Sequence, residues 1–310
     1  MDKQYTIDVV IPVYNGAQFI SAAIDSVLAQ SHLPASLIIV NDGSTDETEK
    51  IILGYQNTII PIKYIKKENG GLSSARNTGI KFSQAEYLAF LDADDVWTKT
   101  NLEKQLDIFR KSIGLNLGLV YCDYSNIDSN GNLIENYSCF KLDQEIKGMV
   151  FKKLFLGNKI AGSGSAVLVR RQCFDQVDLF DEKLPGCEDW DMWLRITEKY
   201  TVDFVPEKLV KLRRHESSMQ TDHFKMYQNQ ILIFNKWIGN PNVDEAILDY
   251  WERVYIFEII VNLLRNLPQK NLFKALNLVM SAPTKKFFYR NKFKKLYWLL
   301  KRSFRSVFKK

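Results

Sequence analysis

Three carboxylates lie within four positions of the sequence, directly after an apolar stretch. The stretch begins at Tyr87, and Asp92, Asp94 and Asp95 follow it. Five mostly apolar residues predict a buried strand, and open α/β sheets bind ligands at the carboxyl ends of their strands. Carboxylates this close repel one another unless a positive charge lies among them, and a hard divalent cation carrying substrate phosphates would supply it. The simpler alternative is a solvated turn in which Asp caps the next helix.

The segments that must position these acids alternate between strand and helix patterns. Apolar runs at 8–14, 37–40 and 62–65 predict three strands before the acidic one. Apolar residues at helical spacing within 19–28 predict the first connecting helix. Strands and helices in alternation predict an α/β fold with a Rossmann-like, mostly parallel sheet and helices on both faces.

Polar side chains follow each predicted strand at its carboxyl end. Tyr14 and Asn15 follow the first strand, Asp42 follows the second, and Arg76 lies on the helix after the third. Because the strand ends meet at one edge of a parallel sheet, we expect these side chains to gather around the acidic cluster. Neither Gly-x-Gly-x-x-Gly nor Gly-x-x-x-x-Gly-Lys-Ser/Thr occurs in the sequence. Dinucleotide and P-loop nucleotide sites are therefore disfavoured.

The second half of the chain is less regular. Residues 119–124 predict a strand, 128–132 a hairpin turn, and 160–169 a loop of small residues that leads into another strand. A further helix is predicted to begin at 188–191, with three acidic residues in its first turn. The helix dipole alone favours acids there, although an Asp at the mouth of a site can equally act as a general base. His215, one of three histidines, lies beside two arginines.

Composition and charge limit the class of protein. The 310 residues are 46% apolar and 25% charged, as in an ordinary globular protein. Four scattered cysteines without Cys-x-x-Cys spacing predict free thiols in a reducing compartment. The sequence shows neither a secretory signal nor an apolar run of about 18 residues, so we expect a cytoplasmic protein without a membrane span.

The charge is unevenly distributed. Residues 285–310 contain eleven Lys or Arg and no acid, whereas residues 1–284 carry a net −5. Over 292–310, helical projection places aromatic and aliphatic residues on one side and basic residues on the other. This pattern is typical of a membrane-surface helix. The alternatives are a helix packed on the body of the protein and a patch that binds nucleic acid; we expect no nucleic-acid partner.

Six stretches together resemble glycosyltransferase family 2, and they follow one another in that family's order. They span about residues 5–220 and comprise 10–15, 40–46, 70–77, 91–95, 188–191 and 214–215. The resemblance implies the GT-A fold in a domain of residues 1–223, with a nucleotide-binding half (1–97) and an acceptor half (98–223). After about residue 223 the family pattern ends. The composition of residues 227–265 predicts helices within a C-terminal extension (224–310), which could cover the acceptor half or mediate homodimerisation.

The resemblance also implies a nucleotide-sugar site. Asp42 would accept a hydrogen bond from the base, typically uridine, and the Tyr14 ring would pack on the face of that base. Arg76 would donate hydrogen bonds near the base and phosphate, and Asp92 would contact the ribose. The complete set assigned to the donor is Pro12, Tyr14, Asn15, Asp42, Arg76, Asp92, Ala93 and Asp94.

Asp94 and His215 would hold the metal ion in this family. The ion, Mg²⁺ or Mn²⁺, would bridge the diphosphate and offset the charge that develops on the leaving nucleoside diphosphate. For His215 the alternative is a surface histidine that only neighbours the two arginines.

On the acceptor side the resemblance assigns the general base to Asp189. It would take the proton from an acceptor hydroxyl as that oxygen attacks the anomeric carbon, which inverts the anomeric configuration. Asp191 is the rival base, although helical spacing turns it away by about 200°. The residues assigned to the acceptor site are Ser163, Gly164, Glu188 and Trp190; Glu188 could instead orient other groups, and Trp190 could belong to the core.

The implied activity is a metal-dependent transfer of one sugar from a UDP-sugar to a lipid-linked glycan at the inner face of the cell membrane, as in bacterial surface-polysaccharide synthesis. Processive members of the family carry a Gln/Arg-x-x-Arg-Trp element, which is absent from the sequence. Two alternatives are a sugar nucleotidyltransferase and a nucleotide-sugar-binding or scaffolding protein without turnover. The first would need a Gly-rich phosphate loop near the first strand, which residues 11–15 do not supply.

Overall fold

The computed structural model divides the chain into two compact units, residues 1–218 and 219–310. It describes residues 5–112, 114–135, 146–160, 164–215 and 223–250. Ser163 and the basic segment 285–310 lie outside the described residues, so the predictions made for them stay predictions. The same is true of homodimerisation through the C-terminal extension.

The first half of the sheet in unit 1 is parallel, as predicted. Its strands are β1 (Ile7–Val13), β2 (Ser36–Asn41), β3 (Ile62–Lys66) and β4 (Tyr87–Phe90), in the spatial order β3-β2-β1-β4. All three pairings among them are parallel. The connecting helices are α1 (Ile20–Leu28), α2 (Thr48–Leu53) and α3 (Leu72–Phe82). Residues of β1, β2 and β4 are buried throughout, which explains why these strands read as continuous apolar runs.

The second half of the sheet is mixed. After β4 the chain forms β5 (Val96–Trp97), α4 (Asn101–Lys111), β6 (Leu117–Ile127), α5 (Phe151–Phe155), β7 (Val167–Arg170), α6 (Gln172–Val177), α7 (Glu188–Lys199) and β8 (Thr201–Arg213). The sheet order continues β4-β7-β6-β8-β5. Only the β6–β8 pairing is parallel here, while β4–β7, β6–β7 and β5–β8 are antiparallel. The expectation of a mostly parallel sheet therefore describes the nucleotide-binding half better than the rest.

Strand β8 brings the end of unit 1 back to the acidic turn. It pairs with β6 over nearly its whole length and also with β5, which directly follows the turn. Register shifts at 122–124 of β6 mark bulges that bend this pair. As a result Arg213 and the residues after it reach Asp94 and Asp95.

Unit 2 is described over residues 223–250 and is helical there. It contains α8 (His223–Trp237) and α9 (Glu245–Tyr250). Ile233 and Phe234 of α8 are buried. Among the helices of the described residues, none is both long enough and apolar enough to cross a membrane.

Candidate active site

Asp42 lies just after β2 in a cradle of donors. Its Oδ1 accepts hydrogen bonds from the Gly70 backbone N–H (3.0 Å) and from Lys67 Nζ (2.6 Å), and its Oδ2 accepts one from the Gly71 N–H (2.7 Å). Gly71 has φ +86°, a conformation that side chains rarely adopt, and this lets consecutive N–H groups face the carboxylate. A negative charge is thereby held at the sheet edge where the sequence predicted the nucleotide base.

Tyr14 and Asn15 leave β1 beside this cradle. The Tyr14 side chain is 54% exposed and offers its ring to a ligand. Asn15 is fixed to the loop after β2, because its N–H donates to Ser44 Oγ (3.0 Å) and its Oδ1 accepts from the Thr45 N–H (2.8 Å). Asn15 therefore braces the loop, while Pro12 is buried within β1.

The three acids after β4 have different surroundings. Asp95 is buried and accepts hydrogen bonds from Ser165 Oγ (2.6 Å) and from the Arg213 N–H (2.9 Å). Burial, followed by the charges of Asp94 and Asp92, holds the pKa of Asp95 well above its usual value. Asp95 thus ties the acidic turn to β8 and is turned away from any ligand.

Asp94 faces His215. The Oδ2 atom of Asp94 lies 2.9 Å from Nε2 of His215, and both side chains remain partly exposed. Burial, then the charge of Asp92, raises the pKa of Asp94, while the bond to His215 lowers it. The His215 ring lies 5.1 Å from the ring of Phe19, between ring centroids. The structure therefore brings together the two residues predicted to hold a metal ion, which are 121 positions apart in the chain.

Arg76 joins the acidic turn to the start of α7. It is fully buried, with Nη2 2.7 Å from Asp92 Oδ1 and Nη1 2.7 Å from Glu188 Oε1. Burial acts to lower the pKa of Arg76, but the two carboxylates outweigh it and the pKa is raised. Both terminal nitrogens of Arg76 are bound to carboxylates and none of its side chain is exposed. The contact of Arg76 with the nucleotide stays a prediction.

Asp189 lies half-buried in the first turn of α7. Its Oδ1 accepts a hydrogen bond from the Trp190 N–H (2.7 Å), and Asn158 Nδ2 donates to its Oδ2 (3.3 Å). Burial, followed by the charge of Glu188, raises the pKa of Asp189 to about 7, against the opposing effect of Arg76. A carboxyl that loses its proton near neutral pH is suited to general-base chemistry.

Asp191 has a different environment on the same helix. It is completely buried, and its Oδ2 accepts a hydrogen bond from Arg195 Nε (3.0 Å), one turn further along α7. Arg195 in turn donates to the backbone oxygen of Val177 (2.6 Å). A carboxylate enclosed in this way is not accessible to an acceptor hydroxyl.

Two residues assigned to the acceptor site have other roles. Trp190 is only 2% exposed, and its Nε1 donates to the Leu154 backbone oxygen (2.8 Å), so it belongs to the core. Gly164 packs against Arg76: a Cβ at that position would lie 2.9 Å from Arg76 Nη2. Glu188 binds Arg76, as an orienting carboxylate would. Ala93 lies half-buried in the acidic turn.

Three residues of the site were not predicted from the sequence. Lys67 follows β3 at the same edge as Asp42, and its position at a strand end was the available signal. Ser165 binds two residues of the acidic turn: its Oγ accepts a hydrogen bond from the Asp92 N–H (3.0 Å) and donates one to Asp95. Arg213 donates from Nε to the Asp94 backbone oxygen (2.8 Å). The last two contacts join residues that are far apart in the chain, so no local pattern shows them.

Comparison with known proteins identifies the family. The profile of glycosyl transferase family 2 matches residues 8–177. An uncharacterized glycosyltransferase of Rickettsia typhi is 36% identical over 248 residues, which cover 78% of this chain and 74% of the relative. The UDP-Glc:alpha-D-GlcNAc-diphosphoundecaprenol beta-1,3-glucosyltransferase WfgD of Escherichia coli is 28% identical over 242 residues, 76% of this chain and 88% of the relative.

Solved structures show the same architecture. Residues 1–349 of S. aureus TarS, in complex with UDP-GlcNAc, superpose with a TM-score of 0.68 at 18% identity, covering 88% of this chain and 79% of that TarS fragment. The mannosyltransferase PcManGT of Pyrobaculum calidifontis, in complex with GDP-Man and Mn²⁺, gives a TM-score of 0.63 at 16% identity, with coverages of 100% and 89%. The fold is the GT-A α/β fold, and the chain belongs to glycosyl transferase family 2. The resemblance noted in the sequence is confirmed.

Proposed function

We propose that this glycosyltransferase moves a single sugar from a UDP-sugar to a hydroxyl of a lipid-linked glycan, with inversion at the anomeric carbon and with help from a divalent cation. One observation carries the proposal: the buried Arg76 bridges Asp92 of the acidic turn and Glu188 of α7. This bridge holds the donor-side acids beside the helix start that carries Asp189. A nucleotide-sugar and an acceptor hydroxyl could therefore meet between them.

The donor would bind along the carboxyl edge of the parallel strands. The Asp42 carboxylate, which Lys67, Gly70 and Gly71 hold in place, would accept a hydrogen bond from the N–H of a pyrimidine base, and the exposed Tyr14 ring would pack on the face of that base. Structural neighbours with bound UDP-GlcNAc and GDP-Man support a nucleotide-sugar donor. The choice of UDP rests on the UDP-GlcNAc complex of TarS and on the UDP-Glc donor that the name of WfgD specifies.

The residues present fit a hard divalent cation. Asp94 Oδ2 and His215 Nε2 lie 2.9 Å apart, so one carboxylate oxygen and one imidazole nitrogen could bind the same ion. Both side chains are partly exposed. Within the described part of the chain, no group of three or more His, Cys, Asp or Glu side chains could hold a metal ion by itself. Diphosphate and water oxygens would complete the shell, as is usual for Mg²⁺ with nucleotides. When bound, the ion would offset negative charge on the departing diphosphate.

The transfer itself would depend on Asp189. Its carboxylate takes the proton of an acceptor hydroxyl while that oxygen forms a bond to the anomeric carbon. The bond from that carbon to the diphosphate oxygen breaks on the opposite face, so one displacement inverts the configuration. Asn158 and the Trp190 N–H would hold the Asp189 carboxylate in orientation through their hydrogen bonds.

The acceptor is proposed to be lipid-linked and to lie at the inner membrane surface. WfgD, as its name states, acts on a diphosphoundecaprenol-linked sugar. The basic segment 285–310 would then hold the enzyme at that surface, with each basic residue contributing about 1 kcal/mol on anionic lipid. The test is flotation with anionic liposomes of the full chain and of a folded variant that ends at residue 284. We expect only the full chain to float, and equal flotation would refute the anchor.

The experiment that tests the proposed activity is a donor panel. Purified protein is incubated with UDP-, GDP- and other nucleotide-sugars and Mn²⁺, and nucleoside diphosphate release and donor binding are followed with and without EDTA. We expect EDTA-sensitive release from one UDP-sugar. Binding without release, even with polyprenyl-diphosphate-linked sugars present, would indicate a nucleotide-sugar-binding protein. Release of pyrophosphate from a nucleoside triphosphate and a sugar phosphate would indicate a nucleotidyltransferase instead.

A further inference from the structure

The environment of Arg76 is unusual for an arginine. The residue projects from α3 into the interior, where its Cζ lies 5.5 Å from the centre of the Phe180 ring. Its Nη2 reaches Asp92 and its Nη1 reaches Glu188, both at 2.7 Å. The Gly164 backbone closes one side, since any side chain there would collide with the guanidinium. A charge buried this completely is stable only while oxygen atoms accept hydrogen bonds from its terminal nitrogens.

The next residue of α3 holds the segment that leads into α7. Asn77 Nδ2 donates to the Phe180 backbone oxygen (2.9 Å) and to Glu182 Oε1 (2.8 Å). Asn77 Oδ1 accepts from the Phe180 N–H (2.8 Å). Two consecutive residues of one helix therefore fix both the approach to α7 and its first turn. The position of Asp189 is determined from the nucleotide-binding half of the protein.

We propose that Arg76 and Glu188 are positioning residues for Asp189, and that the ion pair they form sets both the location and the proton affinity of this base. The proposal rests on the proposed function, in which Asp189 takes the proton of the acceptor hydroxyl. It assigns Glu188 an electrostatic role in place of a contact with the acceptor, and Arg76 an internal role in place of a contact with the nucleotide.

The charges around Asp189 support this role. Burial raises its pKa most, Glu188 raises it further, and Arg76 and the Trp190 N–H oppose them; Asp92 adds a smaller upward effect. Cys187, at the N-terminal end of α7, is the other titratable neighbour, and burial followed by Asp189 and Glu188 raises the pKa of its thiol. The thiol is therefore uncharged at neutral pH. Asn158 contacts Asp189 without charge.

The balance between Glu188 and Arg76 matters for a general base. A base with a low pKa is ionised but accepts protons poorly, whereas one with a high pKa remains protonated at the working pH. Burial and then Glu188 raise the pKa of Asp189, and Arg76 opposes them. Removal of the Glu188 charge alone should lower the pKa of Asp189, because a neighbouring negative charge that favours the protonated form is lost.

The variant that isolates this effect is Glu188→Gln. Glutamine is isosteric, and its Oε1 can still accept the hydrogen bond from Arg76, so the geometry of the first turn is preserved. We expect the acidic limb of the pH profile of kcat/KM, measured by nucleoside diphosphate release, to move down by about one pH unit from its wild-type midpoint. Asp191→Asn is the matched control: it alters a buried carboxylate of the same helix and should leave that midpoint unchanged.

A second measurement does not depend on turnover. In protein labelled with ¹³C at the aspartate carboxyls, the signal that disappears in Asp189→Asn belongs to Asp189, and its titration midpoint can be compared between wild type and Glu188→Gln. A midpoint that falls in the variant supports the proposal. An unchanged midpoint in a folded variant overturns it, even if the wild-type enzyme is active. Absence of donor binding and release in the wild type would instead overturn the proposed function.

Discussion

The donor side and the acceptor side of the site are built in different ways. On the donor side, Asp42 is held by Lys67, Gly70 and Gly71, all within one loop after β3. On the acceptor side, the first turn of α7 is held by Arg76, which lies 112 positions earlier in the chain. Donors from a single loop thus hold Asp42, whereas a long-range buried ion pair holds the start of α7. The position of Asp42 should therefore tolerate changes elsewhere in the chain better than the start of α7.

The largest effect is expected for the acceptor-side base. Asp189→Asn keeps the size and hydrogen-bonding outline of the side chain but removes its ability to take a proton. We expect turnover to fall by about 10²- to 10⁴-fold, with donor affinity unchanged. Nucleoside diphosphate release and calorimetric donor titration measure the two quantities. If Asp189→Asn reduced donor affinity as much as turnover, the acceptor side and the donor side would not act independently.

The second prediction concerns stability. Arg76→Met leaves Asp92 and Glu188 without their shared partner in the interior, so the free energy of unfolding should fall by about 3 kcal/mol or more. Arg110→Met is the control, because the Arg110–Asp107 pair (2.9 Å) is exposed and should contribute less than about 1 kcal/mol. Urea unfolding compares the two variants. Equal losses would show that the buried bridge is no more important than a surface pair.

The third prediction follows from the pKa of Asp189, which is raised to about 7. Only the deprotonated carboxylate can accept the acceptor proton, so kcat/KM should be constant above that pH and fall about tenfold for each unit below it. Rates of nucleoside diphosphate release between pH 5 and pH 9, with saturating Mn²⁺, locate the acidic limb of the kcat/KM profile. A midpoint of that limb near pH 4 would mean that bound substrates or metal cancel the effect of burial and Glu188 on the pKa of Asp189.

The smallest effect is expected on the donor side. Tyr14→Ala removes an exposed ring that makes no other required contact, so it should weaken donor binding by about three- to tenfold and leave kcat almost unchanged. Tyr14→Phe is the control and should bind the donor like the wild type. Titration with UDP-sugar gives the affinities. A loss of kcat in Tyr14→Ala would mean that Tyr14 also affects the reacting centre.

The same contrast explains what could be predicted from the sequence. Strands β1 to β4 and helix α1 follow from local apolar patterns, and their carboxyl ends correctly located Asp42 and the acidic turn at one edge. The start of α7 at Glu188 was also predicted, because acids gather at helix N-termini. In each case the signal lies within about a dozen consecutive residues.

Contacts between distant segments leave no local signal in the sequence. An arginine is usually exposed, so nothing near Arg76 in sequence indicates that it is enclosed by Asp92, Glu188 and Gly164. Trp190 follows an acidic pair, and the sequence allows it to face either the acceptor site or the core. Its indole lies in the core, where it donates a hydrogen bond to the Leu154 carbonyl, 36 positions away. The antiparallel insertion of β7 next to β4 likewise depends on pairing that no local pattern records.

The return of β8 to the acidic turn has a consequence for biosynthesis. Asp94 and His215 are 121 positions apart, and Asp95 and Arg213 are 118 apart. During translation, β1 to β4 and the Asp42 cradle are complete long before the chain reaches residue 215. Because chains emerge N-terminal end first, the loop that holds Asp42 leaves the ribosome well before His215 does. The Asp94–His215 pair can therefore form only after β8, the last strand of the described residues, has been synthesised.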